Sequence, residues 1–346
     1  VSRKLTVSID AMGSDAGPSM VVSALARALP RHPTVNYILH GDEAELTKLL
    51  GRRKAKLASR LTIRHAPRAV KMEDKPSLAL RRGRDTSMWR SIVSVKDGEA
   101  DVAVSAGNTG ALMAMSMYHL GVLDGISRPA IACLMPSRLG QCVFLDVGAN
   151  VECDARQLVD FAVMGEAFAR AVLGLERPTV GILNIGEEEV KGNNEVRDAA
   201  HTLRNANLPI EFYGFVEGND ITNHTVDVVV TDGFTGNVAI KTAEGAAKLI
   251  ATYLRGALKR SFTARLGAFL ASGALKSLRS RLNPSAANGG IFLGLNGLVV
   301  KSHGGSDAFG FASAIDMAID MAEGDVISRI RADQAGINAG REPDNA

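Results

Sequence analysis

Short runs of β-branched and apolar residues alternate with longer amphipathic stretches along almost the whole chain. The short runs predict strands at Leu5–Asp10, Val35–Leu39, Leu61–Arg64, Asp101–Ser105, Cys142–Val147, Val180–Asn184, Ile210–Tyr213, Asp227–Thr231 and Leu298–Lys301. Helical spacing marks Ser19–Leu29, Ser77–Val95, Ala155–Val172, Asn193–Asn205, Thr235–Leu254 and Asp307–Ala322. This alternation, with several strands apolar at every position, argues for an α/β fold whose mostly parallel sheet is covered by helices on both faces. One large unit is expected over residues 1–330, followed by a polar, fraying tail over 331–346. There is no internal repeat.

One segment departs from this pattern. No acidic residue occurs between Glu244 and Asp307, although the chain holds 37 of them, and about six or seven would be expected there by chance. The same window carries Lys248, Arg255, Lys259, Arg260, Arg265, Lys276, Arg279, Arg281 and Lys301. Leu258, Phe262, Leu266, Phe269, Leu270, Leu275, Leu278 and Leu282 recur in it mainly at steps of three and four, an amphipathic helical stripe. Gly267 and Gly273 are expected to break the stripe, making residues 245–290 a basic helical hairpin. Such a face suits an anionic lipid surface or an acidic protein, and equally a dimer interface or packing on the body of the fold.

Composition narrows the classes. Of the 346 residues 46% are hydrophobic, enough for a large core, while aromatics at 5% and a net charge of +3 give no support to nucleic-acid binding. Three cysteines, Cys133, Cys142 and Cys153, without C-x-x-C spacing fit reduced thiols rather than a disulfide framework or zinc site. The chain enters a strand pattern at once, with no apolar targeting segment ahead of it and no run long enough to span a bilayer. A cytoplasmic protein, at most bound to a membrane surface, is expected.

The chemistry is concentrated where strands end. Asp10-Ala-Met-Gly-Ser-Asp15, Ser105-Ala-Gly-Asn-Thr-Gly110, Asp146-Val-Gly-Ala-Asn150, Asn184 to Asn193, Asp232-Gly-Phe-Thr-Gly-Asn237 and Lys301-Ser-His-Gly-Gly305 each follow a predicted strand. Any one of them reads as an ordinary capped turn. Six in succession suggest a shared ligand site on one rim of the sheet, where helix amino ends present free N–H groups. The G-x-G dinucleotide fingerprint, the P-loop, H-E-x-x-H and G-x-S-x-G are all absent. Anion handling without a nucleotide motif remains, and neither a cofactor nor a metal is required.

The blocks Ser8-Ile-Asp-Ala-Met-Gly, Lys75-Pro-Ser, Ser105 to Met113, Asp146 to Asn150, Phe161 to Gly165, Leu183 to Gly192, Thr231 to Asn237 and Lys301 to Gly304 closely resemble the bacterial acyl-acyl carrier protein:phosphate acyltransferase family, PlsX, from about Leu5 to about Ile330. Ser14, Ala16, Glu152 and Gly305 depart from its usual pattern, within loops. The resemblance implies a Rossmann-like three-layer sandwich, akin to isocitrate and isopropylmalate dehydrogenases or phosphotransacetylases. It also implies a homodimer at the membrane surface that supplies acyl phosphate to a glycerol-3-phosphate acyltransferase.

Phosphate is already an anionic nucleophile, so positioned donors are the main demand. Ser105, Gly107, Asn108, Thr109 and Gly110 are expected to hold it at a helix amino end. Lys191 and Asn237 are the candidates for polarising the thioester carbonyl, as the resemblance also suggests. His303 is a candidate for assisting the thiol, and Asp232 for orienting Lys191 or Asn237. Asp10, Met12, Asn150, Asn184, Gly186 and Thr235 are expected to line the substrate site. The plainer alternatives are a surface ion pair of Lys191 with Glu187 or Glu188 and a structural His303; a covalent acyl-enzyme at Cys153 is a rival route, set against the commoner role of cysteine as a small core residue. Leu258, Lys259, Arg260, Phe262, Arg265, Leu266, Phe269 and Leu270 are the expected membrane or carrier-protein contacts. A coenzyme A-dependent phosphotransacylase of short acyl groups is the alternative activity.

Overall fold

A computed structural model describes residues 4–51, 59–205, 210–281 and 289–332, so Leu282 and most of the expected tail lie outside the described residues, as do the side chains of Leu278, Arg279 and Arg281. The strands are β1 (Thr6–Asp10), β2 (Asn36–Gly41), β3 (Leu61–His65), β4 (Val102–Ser105), β5 (Ala130–Pro136), β6 (Gln141–Leu145), β7 (Thr179–Leu183), β8 (Glu211–Val216), β9 (Val228–Val230), β10 (Gly290–Leu293) and β11 (Leu298–Lys301). The helices are α1 (Gly17–Ala28), α2 (Glu43–Leu50), α3 (Pro76–Arg82), α4 (Ser87–Lys96), α5 (Thr109–Leu120), α6 (Ala155–Leu173), α7 (Asn194–Asn205), α8 (Gly218–Asn223), α9 (Gly233–Lys259), α10 (Phe262–Leu270), α11 (Ser272–Arg281) and α12 (Ala308–Glu323).

All eleven strands join one sheet in the order β3-β2-β1-β4-β11-β10-β5-β6-β9-β7-β8. β10 runs antiparallel to β11 and β5, and β5 antiparallel to β6, whereas every other neighbouring pair is parallel. Helices cover both faces. One face packs on α1, α6, α7 and α12, the other on α3, α4, α5 and the start of α9. A single row of paired apolar residues crosses the whole sheet: Ile63, Leu39, Ile9, Val104, Val300, Ile291, Ala132, Leu145, Val230, Ile182 and Phe215. Directly paired residues share a face, and all of these except the half-exposed Ile63 are buried in the core beneath α1, α6 and α12.

That row corrects the expectation of a single rim. The reversal at β10 and β5 turns β6, β9, β7 and β8 against β1, β2, β3, β4 and β11. The loops after Asp10, Ser105 and Lys301 therefore leave the row in one direction. Those after Leu145, Val230 and Leu183 leave it in the other. The ends of the two sets nonetheless lie level, because Val300 and Leu145 belong to the same row, about 14 Å apart across three strand spacings. β5 and β10 are the strands that the apolar pattern did not distinguish.

Two helix boundaries also differ from expectation. The predicted helix Ser77–Val95 is broken at Gly83–Thr86, where the Thr86 hydroxyl donates to the Gly83 carbonyl at 2.6 Å and Thr86 caps α4. A side chain at Gly83 would also meet the Ala79 carbonyl at 2.4 Å. In the basic segment the breaks fall at Arg260–Ser261 and Ala271, so Gly267 and Gly273 lie inside α10 and α11. Ser261 decides the first break, its hydroxyl accepting the Ala264 N–H at 3.1 Å as an N-cap.

Candidate functional site

The amino-terminal half of the site is built on a buried carboxylate. Asp10 ends β1 with no solvent exposure and accepts the hydroxyls of Ser87 at 2.6 Å and Ser105 at 2.7 Å, with the Met12 N–H at 3.2 Å. Burial pushes its carboxyl above the usual range, and these hydrogen bonds pull it back. The Ser105 oxygen in turn accepts the Gly107 N–H at 3.0 Å. A Cβ on Gly13 would lie 2.3 Å from Asp10 Oδ2 and 3.1 Å from the Gly107 Cα, so glycine there is what lets the two turns pack backbone to backbone.

Asn108 caps α5, accepting the Ala111 N–H at 3.0 Å, and its amide nitrogen donates to the carbonyls of Met72 at 2.7 Å and Asp74 at 2.9 Å. Ser105, the Gly107 amide and Asn108 thus have their hydrogen bonds inside the protein. They shape the turn rather than offer free donors. The amides of Thr109 and Gly110, in the first turn of α5, have no intrahelical acceptor. Met12 packs its side chain against Gly41, where a Cβ would lie 3.0 Å from Met12 Cγ.

The opposite half is built on a second buried carboxylate. Asp146 accepts the N–H groups of Ile131 (3.0 Å), Gly148 (3.1 Å), Ala149 (3.0 Å) and Asn150 (2.7 Å) and the Asn150 side-chain amide (3.0 Å). Burial raises its pKa, yet all five partners are N–H donors that need an acceptor, so the carboxylate form holds this turn together. Asn150 spends its amide hydrogens on Asp146 and on the Pro129 carbonyl at 2.9 Å, which makes it a tie within the turn and not a substrate donor.

The start of α9 presses onto this turn. A Cβ on Gly236 would lie 1.9 Å from the Asp146 carbonyl oxygen, and one on Gly233 2.5 Å from that of Asn150. The two glycines are three residues apart, on one face of the helix, and are the only buried residues of α9. This contact sets Asn237, whose amide nitrogen lies 3.0 Å from the position of a Cβ on Gly148. Asn237 and Gly148 line a depression of about 490 Å³ together with Val151, Phe234, Val238 and Lys241.

Asp232 caps α9, but both its oxygens are taken by Thr235, whose N–H is at 2.8 Å and hydroxyl at 2.7 Å. Among the described residues no hydrogen bond joins Asp232 to Lys191 or Asn237, and Thr235 is exposed beside the cap. The loop after β7 is closed by Asn184, which donates to the carbonyls of Gly186 at 3.0 Å and Lys191 at 3.3 Å. Lys191 is exposed, its Cγ 3.2 Å from where a Cβ on Gly186 would sit. Among the described residues it makes no ion pair; in this loop Glu189 pairs instead with Arg204 at 2.7 Å.

His303 accepts the Gly305 N–H on Nδ1 at 3.1 Å, which assigns the proton of the neutral ring to Nε2. Burial lowers its pKa; Glu244 opposes this, and Lys301, Lys241 and Lys248 reinforce it. Cys153 is half-buried and its thiol is pushed up to about 12, chiefly by burial and then by Asp146, so it is a poor nucleophile. Among the described residues no group of three or more His, Cys, Asp or Glu is placed to hold a metal ion.

Lys301 opens one of the predicted loops, yet the sequence assigns it no role. Its neighbours in the site are invisible in sequence, since Asp10 and Asp15 act on it from the end of β1 and the loop after it, and Lys241 from α9. Its register opposite Ser105 is the signal that identifies it.

The chain matches the family model described as "Fatty acid synthesis protein" over residues 5–329. It is 55% identical over 334 residues to a phosphate acyltransferase of Parvibaculum lavamentivorans, covering 96% of this chain and 92% of that one. It is 52% identical over 342 residues to a phosphate acyltransferase of Rhizobium meliloti, covering 98% of each. Among solved structures, a phosphotransacetylase from Streptococcus pyogenes superposes with a TM-score of 0.61 at 19% identity, covering 93% of this chain and 95% of that one. A putative 4-hydroxythreonine-4-phosphate dehydrogenase from Salmonella typhimurium gives 0.53 at 14% identity, covering 92% and 100%. The two structures share the fold. The sequence matches go further: over nearly its full length, the chain belongs to the fatty acid synthesis protein family.

Proposed function

We propose that the chain transfers an acyl group from the thioester of an acyl carrier protein to inorganic phosphate, releasing acyl phosphate and free carrier protein early in phospholipid biosynthesis. The observation that carries this reading is the path of α9. Its first turn holds Asn237 against the Asp146 turn, and Lys241, Glu244 and Lys248, further along the same face, lie within electrostatic reach of His303 at the other set of loops. One helix thus connects a carbonyl-side group with a phosphate-side turn.

In the proposed reaction, phosphate sits at the amides of Thr109 and Gly110, in a turn shaped by Asp10, Ser105 and Asn108. A phosphate oxygen forms the new C–O bond, and the C–S bond breaks with its electron pair leaving on sulfur. The proton carried by the phosphate ends on the pantetheine thiol, so no separate base is consumed. Asn237 and Lys191 stabilise the oxyanion formed in passing, and His303 Nε2 stands near the departing sulfur. Incubation with palmitoyl-acyl carrier protein and phosphate should give a hydroxylamine-sensitive acyl phosphate. Its absence from folded protein would remove the reading.

Coenzyme A-dependent transfer of short acyl groups is the second reading, favoured by the fold shared with the phosphotransacetylase. Parallel assays with acetyl-coenzyme A and palmitoyl-acyl carrier protein as donors separate the two.

The segment from the second half of α9 through α11 supports peripheral attachment to the cytoplasmic face of a membrane. None of the residues of α10 is buried, and Phe262, Leu266, Phe269 and Leu270 are exposed alongside Lys259, Arg260 and Arg265, while Leu258 is half-buried. No described helix is long and apolar enough to cross a membrane. Contact with anionic lipid through this face, with the acidic carrier protein docking on its basic side, fits both features. A homodimer with this segment near its interface, passing acyl phosphate to a glycerol-3-phosphate acyltransferase, belongs to the same proposal. Loss of vesicle flotation in Phe262→Asp and Leu266→Asp is expected, and unchanged flotation rules out the lipid role.

A further inference from the structure

We propose that Lys301, at the end of β11, and Lys241, one turn beyond Asn237 on α9, form the cation pair that takes up the charge of the inorganic phosphate, an inference that rests on the acyl-to-phosphate reading above. The placement follows from strand alternation. Val300 belongs to the apolar row buried beneath α1 and α12, so Lys301 points to the other face, the one crossed by α9. Ser105, opposite Lys301 in register, and Asp10 point to that face for the same reason. Lys301 therefore sits beside the turn that leads into α5. Lys241 lines the depression that holds Asn237, and so stands between the two halves of the site.

The surroundings of Lys301 suit an anion that comes and goes. Among the described residues neither Lys301 nor Lys241 makes an ion pair, and the Lys301 ammonium turns back onto the Ser302 carbonyl. Burial lowers its pKa to about 8, against Asp15 and Asp10, and Lys241 pushes in the same direction as burial. Asp10 is already occupied by two hydroxyls and an amide, so it is a weak partner for Lys301. His303, in the adjoining loop, is the other titratable neighbour, with Glu244 and Lys248 facing it from α9. Two ammonium groups that repel each other at the mouth of a helix amino end are relieved by a phosphate dianion between them. Neither lysine takes part in bond making; both bind and orient the nucleophile.

Phosphate saturation at fixed acyl carrier protein thioester tests the pair. In Lys301→Met and Lys241→Met the KM for phosphate should rise roughly tenfold or more, with the KM for the thioester unchanged. In the unaltered protein kcat/KM for phosphate should fall as pH rises through about 8, where Lys301 loses its proton. Lys301→Arg, which stays charged, should abolish that fall. Lys241 is exposed, so its variant stays informative if Lys301→Met folds poorly. An unchanged phosphate KM in folded methionine variants, or an alkaline fall that persists in Lys301→Arg, overturns the pair while leaving the reaction intact. Failure of the unaltered protein to form acyl phosphate at all sinks the reaction reading instead.

Discussion

Two buried aspartates end strands on opposite sides of the same apolar row, and they solve the problem of a buried charge differently. Asp146 is held by five N–H donors, four of them backbone amides, and none can reverse its role. Asp10 is held mainly by two hydroxyls, which rotate and can donate or accept. The first turn is therefore a rigid anvil for the start of α9. The second can adjust its proton positions as an anion enters beside it. The difference separates a part of the site that fixes geometry from one that handles charge.

The largest expected effect breaks the rigid side. Gly236→Val places a side chain where a Cβ already lies 1.9 Å from the Asp146 carbonyl, a backbone atom with nowhere to go. Thermal unfolding should show a loss of about 3 kcal/mol or more, with activity lost as Asn237 is displaced. Gly13→Ala meets a side-chain oxygen of Asp10 at 2.3 Å and backbone, the Gly107 Cα, only at 3.1 Å, so it should cost less, about 1–2 kcal/mol. Equal losses in the two would erase the distinction.

Next in size are the groups placed on the rigid scaffold. Asn237→Ala and Lys191→Ala should each lower kcat by about 10²–10³, the range for removing one oxyanion donor. The melting temperature of Lys191→Ala should not move, because that side chain is exposed and has no ion-pair partner among the described residues. Near-normal turnover in folded protein would take either residue out of the chemistry.

Exchange of the aspartates themselves sharpens the contrast. Asp146→Asn turns an NH₂ group towards N–H donors and should cost about 2–4 kcal/mol in chemical denaturation. Asp10→Asn should cost roughly 1–2 kcal/mol, since Ser87 and Ser105 can turn to accept. The smallest effect belongs to Asp232→Ala, about 1 kcal/mol for a lost helix cap. It should leave kcat largely in place, because among the described residues Asp232 bonds only within its own cap. A kcat collapse there would return Asp232 to the mechanism.

Much of the scaffold was legible in the chain. Nine of the strands stand within a few residues of where apolar runs placed them, and Asp10, Asn108, Asp146 and Asp232 all occur at strand ends or caps. Local chemistry suffices for these, since caps, glycine turns and apolar periodicity act over three or four residues. β5 and β10 were not legible. Ala130–Pro136 and Gly290–Leu293 are short apolar runs without alternation, and nothing local tells which way they will pair. Their antiparallel pairing divides the loops between two directions. Likewise, Ser105 and Asn108 look like free donors in sequence, and only their partners Asp10, Met72 and Asp74 show them occupied.

By itself, then, the sequence determined an alternating α/β chain with anion-suited turns, because those features depend on neighbours along the backbone. Tertiary structure decided which donors remain available, how the two sets of loops face each other, and that Lys301 and Lys241 belong to one site. Those outcomes depend on strand direction and side-chain alternation between segments far apart in the chain. No local pattern encodes a pairing whose partners lie more than a hundred residues away.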